Sequence, residues 1–243
     1  MKYQDVLTTI KTKGYWRISF EPLVYNEQKI SLSQCKELVM KNSVQLRGWD
    51  YPHIPQRQGD DTALEPGNNY WQGWLDWQDN KNKEFWRMYQ STQFIHYLGL
   101  REDWLDDYAI KSLWAQEDQR FNPGDALGVV GTTCQITEIF EFLSRLIADG
   151  LYDEGVKVSI SLNNTQNRML IVDRFQRVGF SAPRKTSSEI IDFSKSYSKE
   201  EIVSDSSGKS LDAIVHIFER FGWSPPNIEV IKSDQKTFLE GRI

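Results

Sequence analysis

Short segments in which apolar and polar residues alternate dominate the first 100 residues of the chain. In the first of these segments Trp16, Ile18 and Phe20 share one face. A period of two is typical of a half-buried β-strand. The pattern predicts strands at Tyr15–Phe20, Val44–Trp49, Tyr70–Trp77 and Glu84–Leu98. The last two strands are predicted to form a hairpin around the polar turn at residues 78–83.

A helix is the alternative structure for residues 86–97, because Trp86, Tyr89, Gln93 and Tyr97 also recur at helical spacing. The many aromatic and β-branched residues of this segment favour the strand. Residues 52–69 hold three prolines and two glycines among polar residues, which predicts a long loop.

Helical periodicity dominates the second half of the chain. The clearest helix is Thr133–Ala148, which carries a continuous apolar stripe and is followed by Gly150. Other helices are predicted over residues 1–13, after the capping-box pattern Ser31–Gln34, and over Leu211–Phe221. Further strands are predicted at Val156–Leu162 and Ile190–Phe193.

These elements together predict an α+β fold, a mostly antiparallel sheet with helices packed on one face. We expect residues 1–243 to form a single domain. A shift from aromatic, strand-rich sequence to helix-rich sequence near residues 122–126 marks an alternative internal boundary.

Composition narrows the classes of function. A formal net charge of -5 and a pI near 5.4 disfavour broad nucleic-acid binding, which depends on neutralising phosphates with Lys and Arg. The two cysteines, Cys35 and Cys134, lack metal-ligand spacing, and we predict neither a metal nor a cofactor. The first residues do not resemble a signal peptide, and no apolar run is long enough to span a membrane, so we expect a cytoplasmic protein.

The densest polar chemistry lies between Arg47 and His53. Gly48 permits a close approach of backbone or ligand, and Pro52 holds the preceding residue extended. In one interpretation Arg47 binds an anionic group beside Asp50 and His53 at the mouth of a pocket. In the other, a buried Arg47–Asp50 pair fixes the loop, and His53 is hydrogen-bonded to the backbone.

Long polar side chains follow in the segment 84–104. Such groups need partners when they are buried, because each unpaired one costs about 1–3 kcal/mol. The candidate ligand- or partner-binding residues of the whole chain are Arg47, Trp49, Asp50, Tyr51, His53, Arg87, Gln90, Gln93 and His96. We find no nucleophile or acid–base motif and predict no catalytic residue. The glycines of Gly128–Thr133 would allow a phosphate at the start of the strongest helix.

The motif Arg-Gly-Trp-Asp-Tyr-Pro-His-Ile at residues 47–54, together with residues 86–104, resembles an uncharacterised bacterial family. Some members of that family accompany ATP-binding or putative DNA-binding modules of the Schlafen/AlbA type. The resemblance covers roughly residues 15–147 and assigns no catalytic residue. It implies a bacterial protein with a role beside larger machinery, such as a mobile-element or phage-defence system.

We therefore expect a non-enzymatic accessory subunit that docks on a larger protein through an exposed aromatic surface near Trp71–Trp104. Nucleic acid would be bound only within that complex. The alternative is an enzyme or sensor that acts on a nucleotide or a nucleic-acid end, with a pocket around Arg47, Asp50, His53 and His96.

Overall fold

The computed structural model describes residues 3–77, 81–105, 108–110, 119–174 and 176–242. Its strands are β1 (Tyr15–Pro22), β2 (Val44–Gln45), β3 (Asp50–Tyr51), β4 (Thr62–Pro66), β5 (Tyr70–Asp76), β6 (Lys83–Tyr89), β7 (Phe94–Gly99), β8 (Tyr108–Ile110), β9 (Gln119–Phe121), β10 (Ala126–Gly128), β11 (Val156–Asn163), β12 (Met169–Ile171), β13 (Arg184–Lys185) and β14 (Ile190–Tyr197). Its α-helices are α1 (Tyr3–Ile10), α2 (Leu32–Asn42), α3 (Val129–Ala148), α4 (Lys199–Ser204), α5 (Ser206–Glu219) and α6 (Ile228–Leu239). A short 3-10 helix spans Arg101–Trp104.

Seven strands form the main sheet, in the order β14-β11-β1-β7-β6-β5-β4. Every neighbouring pair is antiparallel. The predicted α+β class with a mostly antiparallel sheet is therefore confirmed. β1 pairs with β7 on one side and with β11 on the other, so strands from before and after residues 122–126 share this sheet.

Helix α3 is the centre of the core. It is buried almost all round from Val129 to Leu143. Its apolar residues meet the face of the sheet that carries Trp16, Ile18 and Phe20. Helices α5 and α6 pack on its other side, and α2 packs beside it. This burial follows from a sequence that is apolar on several sides of the helix.

The opposite face of the sheet is covered near β5, β6 and β7 by α1. Val6 and Ile10 of this helix form a second, smaller apolar cluster with Trp74 and Phe85. Alternation along the strands explains why there are two apolar clusters, because consecutive side chains such as Phe85 and Trp86 point to opposite faces of the sheet.

Three boundaries differ from the sequence prediction. Only Val44–Gln45 of the predicted strand Val44–Trp49 is extended, and it pairs with β3 in a separate ribbon instead of joining the sheet. The segment Glu84–Leu98 is not one strand but two, β6 and β7, because the chain turns at residues 90–93. The predicted loop 52–69 contains an edge strand, β4. A helix at residues 86–97 is excluded.

The predicted exposed aromatic surface is wrong for the described part of Trp71–Trp104, where no large apolar side chain is well exposed. Trp74, Phe85 and Trp86 are buried in the two apolar clusters instead. The aromatic excess of this region therefore serves the two faces of a sheet that is covered on both sides. Among the described residues, no helix has the length and apolarity that crossing a bilayer requires.

Candidate functional site

A cavity of about 470 Å³ opens between the sheet, the start of α3 and the loop that follows β2. We call it the site cavity. Arg47, Gly48, Trp49 and Tyr51 line it from the loop side. Gly48 has a φ of 73°, in the left-handed region that favours glycine, and it lies in the turn that joins β2 to β3. Of the nine predicted site residues, the structure brings Arg47, Trp49 and Tyr51 to the cavity wall.

Helix α3 forms the opposite wall with Gly131 and with the polar residues Thr132, Gln135 and Glu138, which are spaced three apart on one side of the helix. Gly128, the last residue of β10, lines the cavity as well. A guanidinium Nη2 of Arg47 donates to Glu138 Oε2 at 2.7 Å and to Gln135 Oε1 at 2.8 Å. The predicted Arg47–Asp50 pair is therefore wrong, since each of these residues has a different partner.

Glu138 is the most unusual ionisable group of the cavity. Its side chain is 1% exposed. Burial raises the pKa of Glu138 to about 7, because the charged form loses water, and the nearby charges of Glu84 and Asp50 add to the increase. The guanidinium of Arg47 acts in the opposite direction and lowers the pKa. Glu138 can therefore gain or lose a proton near neutral pH.

The wall formed by α3 is incompletely hydrogen-bonded. Glu138 Oε1, Gln135 Nε2 and Thr132 Oγ1 are buried and have no hydrogen-bond partner among the described residues. Arg47 can only donate, so the oxygen of Gln135 faces Arg47 and its amide nitrogen is left over. Three unpaired polar groups on one helix face are unusual in a folded protein and call for an explanation.

A second buried carboxylate, Glu84, lines the cavity from β6. Its Oε1 accepts a hydrogen bond from the backbone N–H of His53 at 2.8 Å. Nε2 of His96 lies 2.9 Å from the same oxygen, without the alignment of a hydrogen bond. Tyr51 Oη is 3.0 Å from Nδ1 of His96. Both histidines therefore lie behind the wall and hold Glu84 and Tyr51 in position.

Asp50 stabilises the loop rather than the cavity. One carboxylate oxygen is 2.6 Å from His53 Nδ1, and the other accepts from the backbone N–H of Ile54 at 2.9 Å. Burial alone would raise the pKa of Asp50, but the hydrogen bonds from His53 and Ile54 together lower it. The ring of His53 stacks on Trp49 with centroids 4.4 Å apart, so this pair supports the tryptophan on the cavity wall.

Arg101 and Glu102 of the 3-10 helix also line the cavity. Burial raises the pKa of Glu102, and the charges of Asp173 and Asp103 raise it further, while Arg101 lowers it. Among the described residues, the walls thus carry three carboxylates, those of Glu84, Glu102 and Glu138, and two guanidiniums.

The N-terminus of α3 is already occupied by a side chain of the protein. The backbone N–H groups of Val130 and Gly131 donate to the two carboxylate oxygens of Asp173 at 2.7 and 2.9 Å. A Cβ on Gly128 would come within 2.2 Å of the same carboxylate, which explains the glycine there. The predicted phosphate position is therefore filled by a carboxylate.

The remaining predicted site residues lie elsewhere. The guanidinium of Arg87 lies 3.9 Å from the ring centroid of Tyr70 and donates to Gln72, away from the cavity. Gln90 donates to the backbone carbonyl of Ile30 at 3.2 Å. Gln93 belongs to the turn between β6 and β7, where its carbonyl accepts from Tyr89 N–H. These residues hold loops and strand ends together.

Sequence reasoning missed Glu138, Glu84, Gln135 and Thr132. One signal was available for Glu138: it lies inside a helix that is apolar on several sides, so a charged residue there is buried and needs a reason. Nothing in the sequence distinguished Glu84 from an ordinary residue at the start of a strand.

No protein family, curated protein or solved structure matches this chain. The resemblance to a bacterial family therefore stays a prediction. In the described part of the chain, no group of three or more His, Cys, Asp or Glu side chains is arranged to hold a metal ion.

Proposed function

We propose that this protein binds a small polar molecule in the site cavity and that Glu138 exchanges a proton when the molecule binds. The observation that carries the proposal is the wall of α3, where one oxygen of a buried carboxylate and two further buried polar atoms have no hydrogen-bond partner among the described residues. Cavities of roughly 300–1,000 Å³ with a few converging polar groups are typical of small-molecule sites. A perturbed carboxyl pKa in such a cavity is typical of functional sites.

The groups are suited to acid–base chemistry as well as to binding. Glu84 and Glu138 are two buried carboxylates on one cavity, and the charge of Glu84 helps to raise the pKa of Glu138. Paired carboxyl groups in unequal environments are the usual arrangement for dividing acid and base roles. Glu138 is accordingly the group that we assign to proton transfer, and Arg47 the group that positions it.

A cavity-filling variant tests this proposal. Leu98 of β7 lines the cavity, whereas its neighbour Tyr97 points to the opposite face of the sheet. We expect Leu98→Trp to abolish binding of any hit from a panel of amines, polyols, carboxylates and nucleosides in ligand-observed NMR. Tyr97→Trp is the matched control and should bind as the wild type does. The proposal fails if no panel member binds, or if Leu98→Trp leaves binding intact.

The predicted accessory role is the second candidate, and a different surface now favours it. Leu23, Val24 and Tyr25, which follow β1, are exposed by 48%, 62% and 72%. Three consecutive exposed apolar side chains are a plausible contact for a protein partner. Such a partner would place the protein in a bacterial complex, with nucleic acid bound only there.

A site-specific photo-crosslinker at Tyr25 in the bacterial host tests the accessory role. A single crosslinked protein, lost when Leu23 and Val24 are replaced by serine, is the expected result. No crosslink, or one that survives these replacements, would exclude the loop as the docking surface. The nucleotide-end alternative has less support, because its phosphate would need a guanidinium that is not engaged by carboxylates, and Arg47 is bound to Glu138.

A further inference from the structure

The charge balance of the site cavity distinguishes between ligand classes. In the described part of the chain, three carboxylates and two guanidiniums line it. Arg47 is engaged by Glu138 and Gln135, and Arg101 is close enough to Glu102 to lower its pKa. Among the described lining residues, each guanidinium therefore has a carboxylate beside it, and the third carboxylate is that of Glu84. An anionic ligand would be repelled by these carboxylates where they are ionised.

The unpaired atoms agree with this charge balance. Oε1 of Glu138 is a buried acceptor with no donor in the described part of the chain, in a side chain that is 1% exposed. Thr132 Oγ1 is a second buried atom on the same wall that can accept. The positive end of α3 cannot attract an anion, because the carboxylate of Asp173 already caps it.

Aromatic rings complete the wall. Trp16, Trp49 and Tyr51 line the cavity, and the stack of Trp49 on His53 fixes the indole in place. An organic cation is attracted to the faces of such rings, most strongly to tryptophan. Carboxylates and rings around one cavity are therefore suited to a ligand that carries positive charge on a compact organic frame.

We propose that the site cavity takes the ammonium or guanidinium group of a small organic amine, with Oε1 of Glu138 as its principal acceptor. This inference rests on the proposed function, whose binding site it specifies. An ammonium group supplies up to three donors, which matches the leftover acceptors of Glu138 and Thr132. Gln135 Nε2 would donate to an acceptor elsewhere on the same molecule.

Binding of a cation should release a proton. The free protein can hold a proton on Glu138 near neutral pH, since the pKa of this carboxyl is raised to about 7. The charged groups facing Glu138 are Arg47 after β2, Asp50 of β3 and Glu84 of β6, with His96 of β7 beside Glu84. An added positive charge lowers the pKa of Glu138, so protons are released when the ligand binds near pH 7.

Isothermal titration calorimetry in two buffers of different ionisation enthalpy measures both binding and proton release. The probes are putrescine and agmatine as amines, inorganic phosphate as an anion, and glycerol and glucose as neutral polyols. We expect an amine to bind with proton release, Glu138→Gln to weaken that binding at least tenfold, and the release to vanish in this variant. Glu141→Gln, on the same helix but paired with Arg145 outside the cavity, is the matched control and should change neither quantity.

Thr132→Val is a second variant in case Glu138→Gln does not fold. It should weaken amine binding severalfold and leave proton release unchanged. Binding of phosphate or of a polyol without amine binding would overturn the inference and leave the proposed function standing. Amine binding unaffected by either cavity variant would also overturn the inference. No binding by any probe class would count against both.

Discussion

Two ion pairs with buried carboxylates, Asp103–Arg168 and Arg47–Glu138, show two different uses of buried charge in one protein. Asp103 and Arg168 form a bidentate pair at 2.7 and 2.8 Å, with side chains 3% and 1% exposed. Two backbone N–H groups also donate to Asp103, and two carbonyls accept from Arg168. Only the Nε of Arg168 has no partner among the described residues.

The pair of Arg47 and Glu138 is the opposite case. It has a single contact between the charged groups, and one carboxylate oxygen has no partner in the described part of the chain. The arginine is 29% exposed while the glutamate is buried. An ion pair whose polar atoms nearly all have hydrogen-bond partners fixes structure. A pair on a cavity with an unpartnered oxygen retains the capacity to bind a ligand. The comparison predicts that the first pair carries stability and the second carries pH dependence and ligand affinity.

The largest expected effect is the loss of Asp103. We expect Asp103→Ala to lower the free energy of unfolding by about 3–5 kcal/mol, since the guanidinium of Arg168 would stay buried without a counter-ion. Urea denaturation followed by circular dichroism measures the change. Lys41→Ala removes an exposed pair with Asp149 and should cost less than about 1 kcal/mol. Equal losses of unfolding free energy in the two variants would refute the contrast between the buried, extensively hydrogen-bonded pair and the exposed pair.

The next effect is the pH dependence that Glu138 confers. Its pKa is raised from an ordinary value of 4.5 to about 7, so the native state keeps a proton that the unfolded state releases. This contribution to stability is fully present below pH 4.5 and is lost as the pH rises through 7. Relative to Glu138→Gln, the wild type should lose roughly 3 kcal/mol between pH 4.5 and 8. Denaturation curves at several pH values test this, and parallel curves for the two proteins would contradict it.

The smallest effect concerns Arg47. Its guanidinium lowers the pKa of Glu138, so Arg47→Ala should move that pKa above 7, as measured by carbon NMR of the glutamate carboxyl groups. At pH 6 the cost in stability should be only about 1 kcal/mol, because Glu138 is then mostly neutral. Arg145→Ala, which removes the pair with Glu141 on the same helix, is the control. A pKa of Glu138 that does not respond to Arg47 would show that burial alone sets it.

Local patterns in the sequence predicted most of the sheet and the central helix. The alternation in Tyr15–Phe20 and the stripe in Thr133–Ala148 each match an element, because one face of these segments is buried against the core. Val44–Trp49 alternates as well, yet no strand of the main sheet pairs with it, and after Gln45 the chain turns through residues 46–49 to pair with β3. Alternation predicts a half-buried face but cannot identify a pairing partner.

The site was predicted only in part, because local sequence patterns do not show which distant segments meet in the fold. Arg47, Trp49 and Tyr51 stood out by their density, and they reach the cavity. Closeness in sequence suggested Asp50 as the partner of Arg47, but the carboxylate that Arg47 contacts belongs to Glu138 on α3. The cavity is formed by segments that are distant along the chain, so its polar wall appears only when the fold is complete.

The central position of β1 has a consequence for synthesis on the ribosome. The edge of β1 that faces β7 can pair once residue 99 has emerged from the ribosome. Its other edge must wait for β11, in which Asn163 pairs with Tyr15. At about 5–20 residues per second, the 56 residues between Gly99 and Val156 take roughly 3–11 s to synthesise. During that interval an apolar strand edge remains open to other chains. Nascent chains of this protein should therefore depend on chaperones more than their final stability would indicate.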